Sequence, residues 1–230
     1  MNKSDSERMR TVIEGMGYQW THNEEEADLL GVLAGSGRQK SIDKVYSRIS
    51  KWNKWKNRKN LITFISGCVL KADEEKFLKL FDLVFNISEL PHLQKMISHY
   101  GIVTPIGKRT AEEKHTEIIN EDYKKGPVKE ALKRYSRAEE KIKDFWKIIP
   151  SYTSPVEAFI PIQNGCDKFC TFCAVPYTRG REISRPSTEI LKELKYLVSK
   201  GYKSVTLLGQ NVNSYGLDRN GDELTFTLLL

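Results

Sequence analysis

The sequence has little cysteine and no long apolar stretch. Four cysteines occur among 230 residues, which is sparse for a disulfide-stapled domain, and the amino-terminal residues do not resemble a signal peptide. We therefore expect no disulfide framework. No apolar run approaches the ~20 residues that a membrane-spanning helix requires, so we expect no membrane partner.

Acidic residues are outnumbered by basic ones. The chain carries 37 Lys and Arg against 30 Asp and Glu, a formal net charge of +7, and its pI is about 9.1. A basic surplus fits a polyanionic partner such as RNA, although many basic proteins bind no nucleic acid. With 39% hydrophobic residues and a mean hydropathy of −0.50, the composition is typical of a soluble globular chain of one or two domains.

Three of the four cysteines, Cys166, Cys170 and Cys173, stand together with C-x3-C-x2-C spacing. A closed Fe–S site takes four cysteines, a structural zinc takes four ligands, and none of the histidines is near this segment. Three thiolates leave one corner of a metal group open. The spacing favours an open [4Fe–4S] cluster over zinc or buried thiols, and such a cluster needs a reducing compartment, so we expect the cytoplasm.

Strand and helix patterns alternate in the first hundred residues. The form Ser4-x-x-Glu7 predicts a capping box and a helix to about Met16. Short apolar runs predict strands over 28–33, 61–65 and 83–85, with helices between them. Alternation of this kind predicts an α/β domain over residues 1–103 with a parallel sheet covered by helices.

The remaining chain predicts a linker and the start of a second domain. Residues 104–126 lack periodicity and predict a linker, and Pro127 can begin a connecting helix, so this segment covers 104–150. Residues 151–230 predict a strand, the cysteine segment, a helix and a strand, which is the beginning of a β/α barrel. Eight such units take ~250 residues, so we expect about two units and an incomplete barrel. The predicted inward face of the helix is Ile190, Leu191, Leu194, Leu197 and Val198.

The cysteine motif resembles a known superfamily. C-x3-C-x-aromatic-C, with Phe172 as the aromatic residue, is similar to the signature of radical S-adenosylmethionine (SAM) enzymes. The wider string from Pro161 to Pro186 resembles the methylthiotransferases, most closely the branch that modifies N6-dimethylallyladenosine in tRNA. The segment Gly209-Gln-Asn-Val-Asn-Ser-Tyr-Gly216 is also similar to that branch.

The resemblance implies a transferase with two cofactors. The three cysteines would hold three irons of a [4Fe–4S] cluster, and the fourth iron would bind SAM, which is cleaved to a 5′-deoxyadenosyl radical. The family adds a methylthio group to carbon 2 of N6-isopentenyladenosine beside the anticodon. The implied partners are tRNA and an electron donor such as flavodoxin or ferredoxin, and we expect a monomer.

The same resemblance assigns three residues to SAM binding. Phe172 would pack beside the cluster and the SAM adenine, although plain shielding of the cluster from water is an equal alternative. Gly209 and Gln210 fall where the family binds the SAM amino group, but a simple strand-to-helix turn would have the same residues. No catalytic residue is assigned.

The amino-terminal part resembles the family's first domain, which holds a second [4Fe–4S] cluster on three other cysteines. The run Asn2 to Met9 is similar to the stretch after the first of these ligands, Gly35 stands at the second, and Cys68 stands at the third. One cysteine cannot hold such a cluster. We expect Cys68 to be a buried or vestigial thiol rather than a ligand, and the chain to be truncated at both ends.

Several interpretations remain open. Arg179, Arg181 and Arg185 follow the cysteine motif and could bind the SAM carboxylate or RNA phosphate, or belong to a solvated or salt-bridged loop. The run Lys51–Lys59 mixes cations with tryptophans, as an RNA-binding surface does, but a helix end with Trp52 in the core is the favoured reading. Alternative functions are methylthiotransfer to another tRNA base or a ribosomal protein, an inactive remnant, and an electron-transfer module.

Overall fold

The structure is a computed structural model that describes residues 1–35, 39–99 and 129–230. The chain divides into two compact units. The first contains residues 1–19 and 146–230, and the second contains residues 20–145. None of the helices in the described ranges combines the length and apolar character needed to cross a membrane.

The second unit is built around a parallel sheet. Its strands β1 (Leu29–Gly35), β2 (Ile62–Cys68) and β3 (Leu83–Val84) pair in the order β1-β2-β3, all parallel. Parallel neighbours need crossover connections, and α2 and α3 supply them. The helices of this unit are α2 (Gln39–Trp55), α3 (Lys71–Leu78), a 3-10 helix (Ile87–His92), α4 (Leu93–His99) and most of α5 (Lys129–Trp146).

Apolar side chains at helical spacing on α2 pack against this sheet. Val45, Ile49 and Trp52 are all buried, and they join Ile65 of β2 and Phe77 of α3 in one core cluster. Burying a large apolar side chain contributes roughly 1.5–3 kcal/mol each. The predicted α/β domain with a parallel sheet is therefore confirmed.

The first unit contains the beginning of a β/α barrel. Strands β4 (Glu157–Pro161) and β7 (Ser204–Leu208) pair in parallel, and β5 (Gln163–Asn164) pairs antiparallel with β6 (Ile183–Ser184). Among the described residues these strands form no closed barrel, as predicted. The helices of this unit are α1 (Asn2–Gly15), α6 (Val175–Thr178), α7 (Ser187–Ser199), two 3-10 helices (Val212–Ser214 and Leu217–Arg219) and α8 (Phe226–Leu229).

The predicted capping box at the start of the chain is wrong. Helix α1 begins at Asn2, its N-cap is Met1, and no side chain caps it. Ser4 and Glu7 lie inside the helix, where Ser4 accepts a hydrogen bond from Arg8 and Glu7 accepts one from the Thr153 amide. Ser4 is thus bonded within the helix and Glu7 to a distant segment, so neither side chain caps the helix start.

The predicted inward face of α7 is too wide. Ile190 and Leu197 are buried and Leu194 packs against the same core, but Leu191 is 37% and Val198 64% exposed. Each successive residue of a helix turns by about 100°, so the neighbours of the two buried residues point away from the sheet. A single row of side chains covers β4 and β7 here.

Other expectations lie partly outside the described residues. The predicted linker over 104–126 and the helix start at Pro127 fall there. Ile142, Phe145 and Trp146 of the connecting helix α5 are buried. The boundaries 1–103, 104–150 and 151–230 stay a prediction, and α1 packs within the compact unit that contains the cysteines.

Candidate functional site

The three clustered cysteines lie on a loop that is closed at its neck. We call residues 165–181 the cysteine loop. Gly165 begins it with a φ of +81°, and a side chain here would place Cβ 2.0 Å from the carbonyl oxygen of Arg181. The Cys166 amide donates a hydrogen bond to the Gly180 carbonyl at 3.2 Å. The two limbs of the loop are its ends, around Gly165 and around Arg181. Only glycine fits where they approach each other this closely.

Further contacts fix the limbs of the cysteine loop. The Arg181 guanidinium donates two hydrogen bonds to the Asp167 carboxylate, from Nε at 2.7 Å and from a terminal nitrogen at 3.0 Å. The Glu182 amide donates to the same carboxylate at 3.0 Å. The Cys173 amide donates to the Cys170 carbonyl at 2.9 Å, which forms a turn between two of the cysteines.

The thiols themselves differ in exposure. Cys166 is buried, Cys173 is half-buried, Cys170 is exposed, and none of them is in a disulfide. In the part of the chain that the structure describes, no three Cys, His, Asp or Glu side chains are gathered closely enough to hold a metal ion. The donor set nevertheless fits an iron–sulfur cluster, because three unoxidised sulfur ligands lie on one loop.

Phe172, the aromatic residue between two of the cysteines, is 94% exposed. Phe169 is about half exposed and adopts a φ of +46°, which is uncommon for a bulky residue. The aromatic face of the loop is thus open, and the proposed packing of Phe172 against a cofactor stays a prediction.

The predicted SAM residues lie where two parallel strands end. Gly209 and Gln210 follow β7, which pairs with β4, and ligands of β/α barrels bind at this end of the strands. A Cβ at Gly209 would lie 3.0 Å from Gln163 Oε1. Gln210 Oε1 is buried and accepts no hydrogen bond from any described residue. An unpartnered buried oxygen at this position is suited to a ligand's donor group.

Sequence reasoning missed a polar cluster beside these residues. Gln163 is fully buried, accepts a hydrogen bond from the Asn211 amide, and donates to Ser214 Oγ at 3.3 Å. Glu182 is also buried. Burial raises the pKa of Glu182, and a hydrogen bond with Ser214 opposes that rise. The signal was available, since a glutamine directly after an apolar strand is out of place in a core.

The three arginines after the cysteine motif are engaged in salt bridges. Arg179 pairs with Asp5 at 2.6 Å, and both side chains are buried. Arg181 pairs with Asp167, as described above. Arg185 pairs with Glu193, and both side chains are mostly buried. The salt-bridged alternative for these arginines is therefore confirmed.

The basic run 51–59 at the end of α2 likewise makes contacts within the chain. Trp52 is buried in the core. Lys51 pairs with Glu24 and lies 4.7 Å from the centre of the Trp55 ring. Lys59 donates to backbone carbonyls of Glu25 and Ala27. These contacts support the reading as a helix end with Trp52 in the core.

Cys68 lies in the other unit, at the end of β2. Its partner across the pairing with β1 is Gly35, which has no side chain to bind a metal. Both residues line a small cavity whose walls are otherwise mostly apolar. The structure thus places one thiol, half-buried and not in a disulfide, where the resemblance calls for a second cluster.

Comparison with known proteins identifies two segments of the chain. A family model described as the uncharacterized protein family UPF0004 matches residues 1–87, and the model of the radical SAM superfamily matches residues 160–229. Curated relatives named tRNA-2-methylthio-N(6)-dimethylallyladenosine synthase match nearly all of the chain. The relative from Geobacter metallireducens is 38% identical over 233 residues, which cover 100% of this chain and 47% of the relative.

Two further relatives with the same name give similar values. The relative from Carboxydothermus hydrogenoformans is 34% identical and is covered to 47% of its length. The relative from Yersinia enterocolitica is 35% identical and is covered to 44%. This chain is covered completely in both comparisons, and it spans about half the length of the curated relatives that it matches.

The superfamily match over residues 160–229, which include the cysteine loop, defines the chain as a radical SAM protein. Membership of the radical SAM superfamily rests on residues 160–229 alone. The UPF0004 segment in front of these residues and the relatives that match both segments define the narrower group. The chain belongs to the radical SAM methylthiotransferase family, as a partial-length member.

Proposed function

We propose that this chain is part of a tRNA-modifying enzyme that adds a methylthio group to carbon 2 of N6-isopentenyladenosine beside the anticodon. The observation that carries the proposal is the cysteine loop, with three free thiols on one loop beyond the carboxyl end of β4. The name shared by the relatives, tRNA-2-methylthio-N(6)-dimethylallyladenosine synthase, supports the tRNA substrate.

Cys166, Cys170 and Cys173 would hold a [4Fe–4S] cluster, with SAM at the open iron. When bound, this group supplies the electron for reductive cleavage of SAM. The protein's part is to bind and orient the cofactors. The buried Oε1 of Gln210 is available to accept a hydrogen bond from the SAM amino group, Gly209 leaves room beside Gln163, and Phe172 offers an open ring face.

The partners and the compartment follow from this chemistry. A cluster of this kind needs an electron donor such as flavodoxin or ferredoxin and a reducing compartment, for which we propose the cytoplasm. The net charge of +7 supports a tRNA partner, because basic side chains bind the phosphate backbone. We propose a monomer.

A second candidate is an inactive or partial product that keeps only the SAM-binding cluster. The observation that favours it is the position of Gly35 opposite Cys68, because one of the three expected ligands for the second cluster is a glycine here. Methylthiotransfer needs a sulfur source. On this alternative the chain would bind the cluster and SAM without transferring a methylthio group.

The test is the nucleoside content of tRNA from a strain that lacks the gene. The proposal predicts that N6-isopentenyladenosine accumulates and its 2-methylthio derivative disappears, as measured by liquid chromatography and mass spectrometry. Loss of methylthio from a different nucleoside or from a ribosomal protein would assign the chain to another branch. An unchanged modification pattern would favour the inactive product.

A further inference from the structure

Helix α1 buries charge where most helices bury apolar surface. Ser4, Asp5, Glu7 and Arg8 are each at most 2% exposed, while Met9 is the buried apolar residue next to them. Charged side chains are rarely this buried unless they are paired. The buried polar face of α1 must therefore have specific partners in the unit that contains the cysteine loop.

Asp5 provides the first of these contacts. Its Oδ2 accepts a hydrogen bond from an Arg179 terminal nitrogen at 2.6 Å, with the two side chains 1% and 3% exposed. The same nitrogen donates to Asn2 Oδ1 at 3.3 Å. Both residues of α1 thus hold the guanidinium of a residue in the cysteine loop.

Arg179 also forms hydrogen bonds with the other limb of the cysteine loop. Its second terminal nitrogen donates to Asn164 Oδ1 at 3.2 Å, and its backbone carbonyl accepts from Asn164 Nδ2 at 3.0 Å. Asn164 directly precedes the neck glycine Gly165. The chain Asp5–Arg179–Asn164 therefore spans the two limbs between which all three cysteines lie.

A second group of contacts anchors α1 independently of the loop. Arg8 lies 3.8 Å from Glu193 of α7, and Glu193 also accepts hydrogen bonds from Tyr152 and Arg185. Glu7 accepts from the amide and the hydroxyl of Thr153. Burial lowers the pKa of Arg8, and the Glu193 carboxylate opposes that fall. These contacts fix the position from which Asp5 acts.

We propose that α1 is a clamp on the cysteine loop and that Asp5 is a positioning residue for the three thiols. Acting through Arg179 and Asn164, Asp5 holds the neck closed, so that Cys166, Cys170 and Cys173 start from one defined loop when they take up the cluster. This role rests on the proposed function only for the identity of what the loop binds. The clamp itself is a property of the metal-free chain.

The test compares Asp5→Asn with Glu14→Gln. Asparagine keeps the shape of Asp5 but removes the carboxylate from a buried guanidinium. Glu14→Gln removes an ion pair of the same length, 2.6 Å to Arg10, from the same helix, where the side chains are 35% and 36% exposed. Hydrogen exchange of the metal-free proteins is followed by mass spectrometry, and iron uptake is measured after anaerobic reconstitution.

The clamp predicts a local change. In Asp5→Asn, exchange over residues 164–181, including the Cys166 amide, becomes on the order of tenfold faster, while β2 in the other unit is unaffected. Iron uptake falls in the same variant. Glu14→Gln matches the wild type in both measurements.

The double variant Asp5→Asn with Arg179→Gln separates positioning from general stability. With both charges removed, no guanidinium stays buried without its carboxylate, so the melting temperature returns toward the wild-type value. The loop neck stays unprotected in hydrogen exchange, because the bridge is still absent. If protection of residues 164–181 returned with the melting temperature, Asp5 would be a stability residue only.

The outcomes also separate the clamp from the proposed function. A wild-type chain that takes up no iron, while Asp5→Asn still speeds exchange of the loop, contradicts the cluster and leaves the clamp standing. A wild-type chain that takes up iron, with loop exchange and iron uptake unchanged in Asp5→Asn, overturns the clamp and leaves the cluster standing.

Discussion

At the scale of single residues, Gly165 and Gly180 form a matched pair at the neck of the cysteine loop. Their φ angles are +81° and +80°, but a Cβ at Gly165 would lie 2.0 Å from the Arg181 carbonyl oxygen, while a Cβ at Gly180 would meet nothing within 4 Å. Alanine costs about 1–2 kcal/mol at either position for the left-handed backbone. At Gly165 the clash adds a further ~1–3 kcal/mol.

Chemical denaturation of Gly165→Ala and Gly180→Ala measures this difference. We expect Gly165→Ala to be the less stable variant and to lose hydrogen-exchange protection at the Cys166 amide. Equal stabilities of the two variants would show that the neck is not closed as described.

The buried carboxyl of Glu182 should make stability depend on pH. Burial raises the pKa of Glu182 above its usual value of 4.5, against an opposing hydrogen bond with Ser214. The folded chain therefore binds this proton more tightly than the unfolded chain, and its stability falls as pH rises from 4.5 through the raised pKa.

Glu182→Gln removes this dependence. Relative to the wild type, we expect the variant to gain in melting temperature at neutral pH and to lose that gain as the pH is lowered toward 4.5. Melting curves of both proteins across this range provide the measurement. A difference that stays constant with pH would mean that Glu182 does not titrate differently in the folded state.

Local spacing made some of these residues predictable and others not. The three cysteines could be found because their C-x3-C-x2-C pattern is contained in eight consecutive residues, 166–173. The partner of Arg179 could not, because Asp5 lies 174 positions away. Sequence patterns carry short-range periodicity but do not show which buried charges pair across the fold.

At the scale of secondary-structure elements, α7 offers a direct test of which face packs on the strands. Leu197 is fully buried, and Val198 beside it is 64% exposed. Removing a buried leucine side chain leaves a cavity, so Leu197→Ala should cost about 2–5 kcal/mol of unfolding free energy. Val198→Ala, as the control, should stay within about 0.5 kcal/mol of the wild type.

Urea denaturation of both α7 variants gives the two values. Similar losses for Leu197→Ala and Val198→Ala would restore the broader inward face that the sequence predicted. The helix itself was predictable from its period. Its narrow buried face was not, because which side chains of a helix contact β4 and β7 is a property of the tertiary fold.

The start of helix α1 is another place where a sequence pattern did not reveal the hydrogen-bond partners. Its length was predicted to within a few residues, yet Ser4 and Glu7 were assigned to a local capping box. In the structure Ser4 accepts a hydrogen bond from Arg8 of the same helix, and Glu7 accepts one from the distant Thr153 amide. A polar motif at a helix start has the same letters whether its bonds are local or distant.

At the scale of the whole molecule, the alternation of strands and helices was sufficient to predict the class of fold. The parallel order β1-β2-β3 and the parallel pair β4 and β7 both follow from it. The membership of α1 in the same compact unit as residues 146–230 was not predictable, because it depends on buried ion pairs between sequence-distant segments.

The cluster content of the chain is the whole-molecule property that the account predicts. Three cysteines lie on the cysteine loop, whereas Cys68 of β2 pairs with Gly35 of the neighbouring strand β1. A [4Fe–4S] cluster on the loop alone corresponds to about four irons per chain. A value near eight after anaerobic reconstitution would mean that the amino-terminal segment holds a second cluster despite Gly35.

The most direct test of the central claim is the iron content and electron paramagnetic resonance of four single variants after anaerobic reconstitution. We expect Cys68→Ser to keep about four irons and the reduced-cluster signal of the wild type. Cys166→Ala, Cys170→Ala and Cys173→Ala should lose both. Retention of the wild-type iron and signal in these three variants, or zinc without iron in anaerobically purified wild type, would contradict the assignment of the cysteine loop.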